Sequence, residues 1–315
     1  MTEFIKPDFS NINVDRSLPT VSISAVLGML EEPFDQLGVA QKTHDKYFDD
    51  PASEYYRMSV KQIIDKWSAK GAESRNYGSM LDDYIGLNLN HKDIELRMFK
   101  LDNNYDNDER LHGLCDSFDN FYSVLSKSGD TEFIDREKYL YLKVKNPFHN
   151  EEGQNEYMYM YGRFDALFRN KRTGKYILID WKSSGTVDKV ADKWTKKMLG
   201  PMFKYPQLNW YQYTLQLYFY KQALLNSGYL PEGTSPDDIV VMIVNLPGKI
   251  IEGCGQNYQI HQGAIPYNET ELNNFYEFAI KKYILLEAEK KEKEEHKEEV
   301  KQETNNDNNN LEDLF

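Results

Sequence analysis

Three residues in one stretch have the types and spacing for phosphate chemistry: Asp165 in YGRFDALFRN, and Asp180 and Lys182 in KYILIDWKSS. On a strand, residues two apart project from the same face, which puts Asp180 and Lys182 side by side. The intervening NKRTGK reads as a turn, and if it closes a hairpin all three side chains converge. Two carboxylates make a hard oxygen site suited to Mg²⁺ or Mn²⁺. Such an ion lowers the pKa of bound water and neutralises charge on a phosphate. Lys182 would then orient the water or stabilise transition-state charge. An Asp-x-Lys triplet is also the pattern of a structural ion pair, and that alternative stays open. The setting favours a site, because the apolar run YILI leads straight into Asp180. Burying charge there costs several kcal/mol unless a metal or mutual pairing satisfies it.

The elements that must hold these residues are legible from periodicity. From Glu137 onward the period is two, and EKYLYLKV, EYMYMYGRFDALF and KYILIDWKSS predict three strands. QLNWYQYTLQLYFYKQALLNSG predicts a helix ending at Gly228, and DDIVVMIVNL one further strand. Upstream, residues 1–20, with Pro7 and Pro19, read as an extended arm, and helix is expected from Ser22 to Leu30. Ser59 caps VKQIIDKWSAKG, with Gly71 as its stop, and another helix is expected through YGSMLDDYIGLNL. The Asp- and Asn-rich residues 101–120 read as a connection before FDNFYSVL. The expected fold class is mixed α/β or α+β, a central mixed β-sheet flanked by helices with an N-terminal helical region. One domain should span residues 21–285. Residues 286–315 read as a charged, Asn-rich disordered tail ending in LEDLF.

Composition narrows the function classes. The chain has 315 residues, 40% of them hydrophobic, with 23 Tyr, 16 Phe and 4 Trp, enough for a sizeable core. Its apolar runs are shorter than a bilayer span, and MTEFIKPDFS lacks a basic segment followed by an apolar one. Neither a membrane protein nor a conventionally secreted one is expected. Two cysteines are too few for a disulfide scaffold, a four-cysteine zinc site or an iron–sulfur cluster, which favours a reducing cytoplasm. No H-E-x-x-H, G-x-x-x-x-G-K-[ST] or G-x-S-x-G occurs, so no nucleotide cofactor is expected. The net charge of −13 hides a basic segment: residues 161–221 hold 12 Lys and Arg against 4 Asp and Glu. Lys189, Lys193, Lys196 and Lys197 in that segment are candidate DNA phosphate contacts. A solvated lysine-rich helix is the bland alternative.

Together these motifs resemble those of the PD-(D/E)XK nucleases, most closely the RecB-like exonuclease branch. Asp165 in GRFDALF and Asp180 and Lys182 in ILIDWKSS are similar to that family's paired metal-binding strands. Gln216 and Tyr220 in QLYFY resemble its Q-x-x-x-Y helix motif, and Gly78 in YGSMLDDYI the glycine of its G-x-x-x-H motif. The resemblance spans about Trp67 to Leu224, and each motif is weak alone. It implies a restriction-endonuclease-like core in which Asp82, Asp165, Asp180 and the Trp181 backbone carbonyl hold Mg²⁺ or Mn²⁺, with Glu137 as a further candidate ligand. Asp82 stands where many relatives carry a metal-binding His. Lys182, Gln216 and Tyr220 would complete the catalytic set, and DNA would be cut to leave a 5′-phosphate in recombination, repair or replication. Phage-encoded members extend the expected setting to the host cytoplasm. The alternative is a catalytically inactive nuclease fold that binds DNA or protein. At the C-terminus, Leu311, Leu314 and Phe315 in LEDLF resemble short peptides that bind sliding clamps, without the usual leading Gln. They also resemble partner-binding tails of single-stranded-DNA-binding proteins, and an unstructured end without a partner is the plain alternative.

Overall fold

A computed structural model describes residues 14–183, 187, 189–226, 228–253 and 255–312, with side chains described up to residue 295. Most of the N-terminal arm, Cys254, Leu314 and Phe315 lie outside the described residues. The chain opens with strand β1 (Thr20–Ser22), which pairs in parallel with a later strand before helix α1 (Ile23–Gly28) begins. Ser22 caps α1 by accepting from the Ala25 N–H. Helix α2 (Gln36–Tyr47) then packs along α3 (Val60–Leu89).

Helix α3 differs from the sequence reading. The cap is as expected, a capping box in which Ser59 and Gln62 exchange hydrogen bonds, but the helix passes through Gly71 to Leu89 without a break. A mid-helix glycine costs about 1 kcal/mol, too little to end a helix whose later turns are anchored by Leu81, Tyr84, Ile85 and Leu89. The segment expected as a connection is also mostly helical: α4 (Asp93–Asp102) and α5 (Glu109–Ser126) occupy it. Asp108 caps α5 by accepting from the Arg110 and Leu111 N–H groups, so an Asp-rich composition marked a helix start.

Strands follow as β2 (Thr131–Arg136), β3 (Tyr139–Lys145), β4 (Tyr157–Arg163), β5 (Ala166–Asn170) and β6 (Tyr176–Lys182). Helix α6 (Asn209–Asn226), β7 (Ile239–Asn245), β8 (Gln259–His261) and α7 (Glu269–Glu312) complete the order. Among the described residues there are two mixed sheets flanked by helices, ordered β1-β4-β3 and β2-β5-β6-β7-β8. EYMYMYGRFDALF is therefore two strands in two sheets, β4 and β5, and the chain changes sheet at Phe164 and Asp165. A parallel change occurs between β2 and β3 at Glu137, which adopts a left-handed backbone with φ of 51°. The two crossings are bonded to each other: the Glu137 N–H donates to the Asp165 carbonyl and the Phe164 N–H to the Lys138 carbonyl, each at 3.3 Å.

The five-stranded sheet separates two hydrophobic cores. Tyr176 and Leu178 of β6 join α1, α6 and α7 through Val26, Phe219 and Phe275. The alternate residues Ile177, Ile179 and Trp181 join α3 and α5 through Ile85, Phe118 and Phe121. Burial on both faces explains the continuous apolar run of β6. Beside the first core, Gly162 on β4 admits α6 and α1 closely: a methyl there would lie 2.8 Å from Tyr220 Cε1 and 2.7 Å from Ile23 Cγ2. Gly162→Ala is expected to lower stability by about 1–3 kcal/mol through overpacking, read as a shift in the urea midpoint at unchanged slope.

Beyond Ile284, α7 leaves the core, and its backbone runs on as helix to Glu312. Glu and Lys are good helix formers, and Glu287–Lys290 and Glu289–Lys293 are paired along the surface. No helix among the described residues is long and apolar enough to cross a membrane.

Candidate active site

The β5–β6 hairpin closes through the expected turn, with Asn170 Oδ1 accepting from the Arg172 and Thr173 N–H groups and Gly174 at a φ of 76°. Its register sets Ala166 opposite Ile179, which brings Asp165, at the sheet crossing rather than within a strand, beside the Asp180–Trp181 peptide. The Trp181 N–H donates to Asp165 Oδ2 at 2.7 Å. Trp181 points the other way, its ring edge-on to Phe118 and Phe121, and this packing fixes the end of β6.

On the opposite face Lys182 Nζ lies 2.7 Å from Asp180 Oδ2. Asp180 is only 1% exposed, whereas Lys182 reaches the solvent-facing side. Burial pushes the Asp165 carboxyl up to about 7, with the negative charge of Asp180 adding to the shift. Burial also raises Asp180, against the pull of the Lys182 ammonium. For Lys182 burial acts downward, but the two carboxylates outweigh it and hold the ammonium charged above its ordinary range. The three residues singled out from spacing thus form one electrostatic unit.

Asp165 and Lys182 open onto a cleft of about 410 Å³ that α3 lines with Gly78, Asp82 and Arg75. Glu137 and Arg163 line the same cleft from the sheet crossing. Asp83 lines a different one, so the four-residue step from Gly78 to Asp82 selects the aspartate on the Asp165 side. Asp82 already has a partner: Arg136 Nη2 donates to its Oδ1 at 2.6 Å and to its carbonyl at 3.1 Å. Arg136 reaches this position across Gly86, where a methyl would collide with its guanidinium. Glu137 is raised by burial and by its contact with Asp82, and Arg136 and Arg163 oppose the shift, Arg163 at 3.1 Å.

Helix α6 presents one face to this unit. Gln216 Nε2 donates to the Tyr220 hydroxyl at 3.1 Å, and Tyr220 is 2% exposed. Tyr220 lies near enough to Asp180 and Asp165 for their charges to add to the upward shift that burial gives its hydroxyl. It belongs to the core, out of reach of a ligand in the cleft. Tyr213, three residues before Gln216 on the same face, was not singled out from sequence. Its ring lies 4.3 Å from Lys182 Nζ. The missed signal was helical spacing from Gln216 and Tyr220.

Lys189, Lys193, Lys196 and Lys197 are exposed on the connection between β6 and α6, where the described residues 189–199 form no helix. Lys196 is ion-paired with Glu32, while Lys189 lies 5.2 Å from the Trp210 ring and Lys193 5.1 Å from that of Trp194. Trp194 itself is 78% exposed. Leu311 falls in the last turn of α7.

The donor set fits a hard divalent cation in part. Asp165 and Asp180 are oxygen donors whose mutual repulsion favours a bound cation. Among the described residues no three His, Cys, Asp or Glu side chains are already gathered as a ligand set, and Asp82 would have to exchange Arg136 for the ion. No model of a known protein family matches the chain, and no curated protein matches it.

Proposed function

We propose that this protein is a metal-dependent deoxyribonuclease with a restriction-endonuclease-like core of the PD-(D/E)XK type, acting as an exonuclease of the RecB-like branch. One observation carries the reading: a buried Asp180 and a half-buried Asp165 share Lys182 at the open end of a hairpin, beside a cleft with Asp82 and Glu137 on its wall. Asp165, Asp180, the Trp181 carbonyl and Asp82 would hold Mg²⁺ or Mn²⁺, with Glu137 as the alternative acid. When bound, the ion supplies Lewis acidity and neutralises charge on the phosphodiester. Lys182, held between Asp180 and the Tyr213 ring, presents its ammonium to the cleft, where it orients the attacking water or stabilises charge on the phosphate. Gln216 and Tyr220, hydrogen-bonded to each other on the α6 face behind the acid pair, would complete the catalytic set. The exposed lysines of the β6–α6 loop supply sequence-independent phosphate contacts. Leu311, Leu314 and Phe315 would serve as a partner-binding end for a sliding clamp or a single-stranded-DNA-binding protein.

A second reading, a nuclease fold that binds nucleic acid or protein without cutting, is favoured by the Arg136–Asp82 contact, which occupies one expected ligand. Incubating the protein with labelled DNA and Mg²⁺ or Mn²⁺ separates the two. Cleavage by the wild type that disappears in chelator and in Asp165→Asn supports the nuclease. Equal products from wild type and Asp165→Asn would remove Asp165 from the site. Binding without cleavage in either metal would leave the non-catalytic reading.

A further inference from the structure

A second groove, of about 430 Å³, adjoins the cleft along α3, and Arg75 lines both. Its other walls are Phe34, Gln36, Trp67, Ser68 and Gly71. Ser68, Gly71, Arg75, Gly78 and Asp82 recur at three- and four-residue steps, so they form one stripe on α3 that leads from the groove into the cleft. From Gly71 to Asp82 this stripe runs about 16 Å. Arg75 is the one charged residue lining the groove, and Asp82 the acid at the cleft end of the stripe. The missing side chain of Gly71 leaves the Arg75 guanidinium free to lie along the helix, since a methyl there would approach Nη1 to 3.3 Å.

The aromatic components are built in different ways. Trp67 is fixed, its Nε1 donating to the Tyr55 hydroxyl at 3.1 Å and its ring edge-on to Tyr55. Phe34 is tied down by its backbone, its carbonyl accepting from the Gln36 N–H as the chain enters α2, and the residue is 69% exposed. A single exposed phenylalanine is unremarkable on a protein surface. Here it overhangs a groove whose cation has no carboxylate within ion-pair distance among the described residues, in a chain with a net charge of −13. An apolar ring next to a free guanidinium matches a base next to its phosphate.

We infer that this groove is a subsite for an unpaired nucleotide of the strand entering the cleft, with the base stacked on Phe34 against Trp67 and the phosphate on Arg75. The inference rests on the nuclease reading for its direction, and names the substrate class as a single-stranded or frayed end. A base within a duplex has its faces covered by its neighbours and cannot stack on Phe34 without leaving the helix.

Binding of fluorescein-labelled oligothymidine and of a blunt duplex to the full-length protein, in chelator so that nothing is cut, tests it. Phe34→Ala should weaken single-strand binding about tenfold, Phe34→Trp should retain it, and duplex binding should not change. Circular dichroism checks that each variant is folded. Undiminished oligothymidine binding by Phe34→Ala, equal weakening on both probes, or no single-strand binding by the wild type would each overturn the subsite. Metal-dependent cleavage is scored separately. A wild type that cuts DNA while Phe34→Ala binds normally loses the subsite and keeps the nuclease. Selective loss of single-strand binding in a protein that does not cut keeps the subsite and removes the nuclease.

Discussion

Lys182→Ala is expected to reduce metal-supported cleavage by roughly three orders of magnitude, the scale on which a single preorganised charge-stabilising group acts. It should also destabilise the fold more than Asp180→Ala does. Removing the ammonium leaves Asp165 and Asp180 facing each other in a desolvated setting, and breaking a buried pair this way costs about 3–5 kcal/mol. Removing Asp180 instead leaves Lys182 beside Asp165, whose charge already acts on it. Asp180→Ala should therefore lose cleavage just as fully with a smaller shift in urea midpoint. The paired assay and denaturation curves distinguish this order from its reverse, which would mean that the two carboxylates are satisfied without Lys182.

The second large effect is on pH dependence. Asp165 titrates near 7 in the folded protein against 3.8 as its ordinary value, so the folded state binds its proton more tightly than the unfolded one. The stabilisation this gives is fully present below about pH 4 and is lost as pH rises towards 7. Asp180 and Glu137 shift in the same direction, and Lys182 titrates well above this window. In chelator, Asp165 alone should make stability fall by on the order of 3 kcal/mol between those limits, somewhat less than full linkage because its carboxylate keeps an edge in the cleft. Urea midpoints measured across the range should therefore decline with pH in the wild type and flatten in Asp165→Asn. Mg²⁺ or Mn²⁺ should restore the neutral-pH midpoint if the ion binds the ionised pair. A flat wild-type profile would mean that Asp165 is well solvated.

The centre of the candidate site was legible because it rests on local rules. Period-two spacing pairs Asp180 with Lys182, a turn sequence brings Asp165 back, and a four-residue helical step separates Asp82 from Asp83. What was hidden depends on distant partners. EYMYMYGRFDALF reads as one strand, since nothing in its alternation marks the change of sheet, which is fixed by pairing with β1, β3, β2 and β6. TEFIDR was missed because its polar residues alternate around few apolar ones, and its partner strand β5 determines its pairing. Gly71 misled as a helix stop because tertiary packing of α3 outweighs its modest propensity cost. Arg136 and Tyr213 reach the site over Gly86 and Lys182, contacts between segments far apart in the chain.

The division of the interior by the five-stranded sheet has a consequence for cooperativity. Helices α3 and α5 and helices α1, α6 and α7 are cored separately, and the two bodies meet chiefly through the strands between them. Asp82 belongs to the first body and Lys182, seated on Tyr213, to the second, with Asp165 at the crease that joins the sheets. Each body can open with its own free energy, as semi-independent folding units do. A ligand that grips Asp82, Asp165 and Lys182 together would be lost on opening either one, and so would fasten the two units into a single transition.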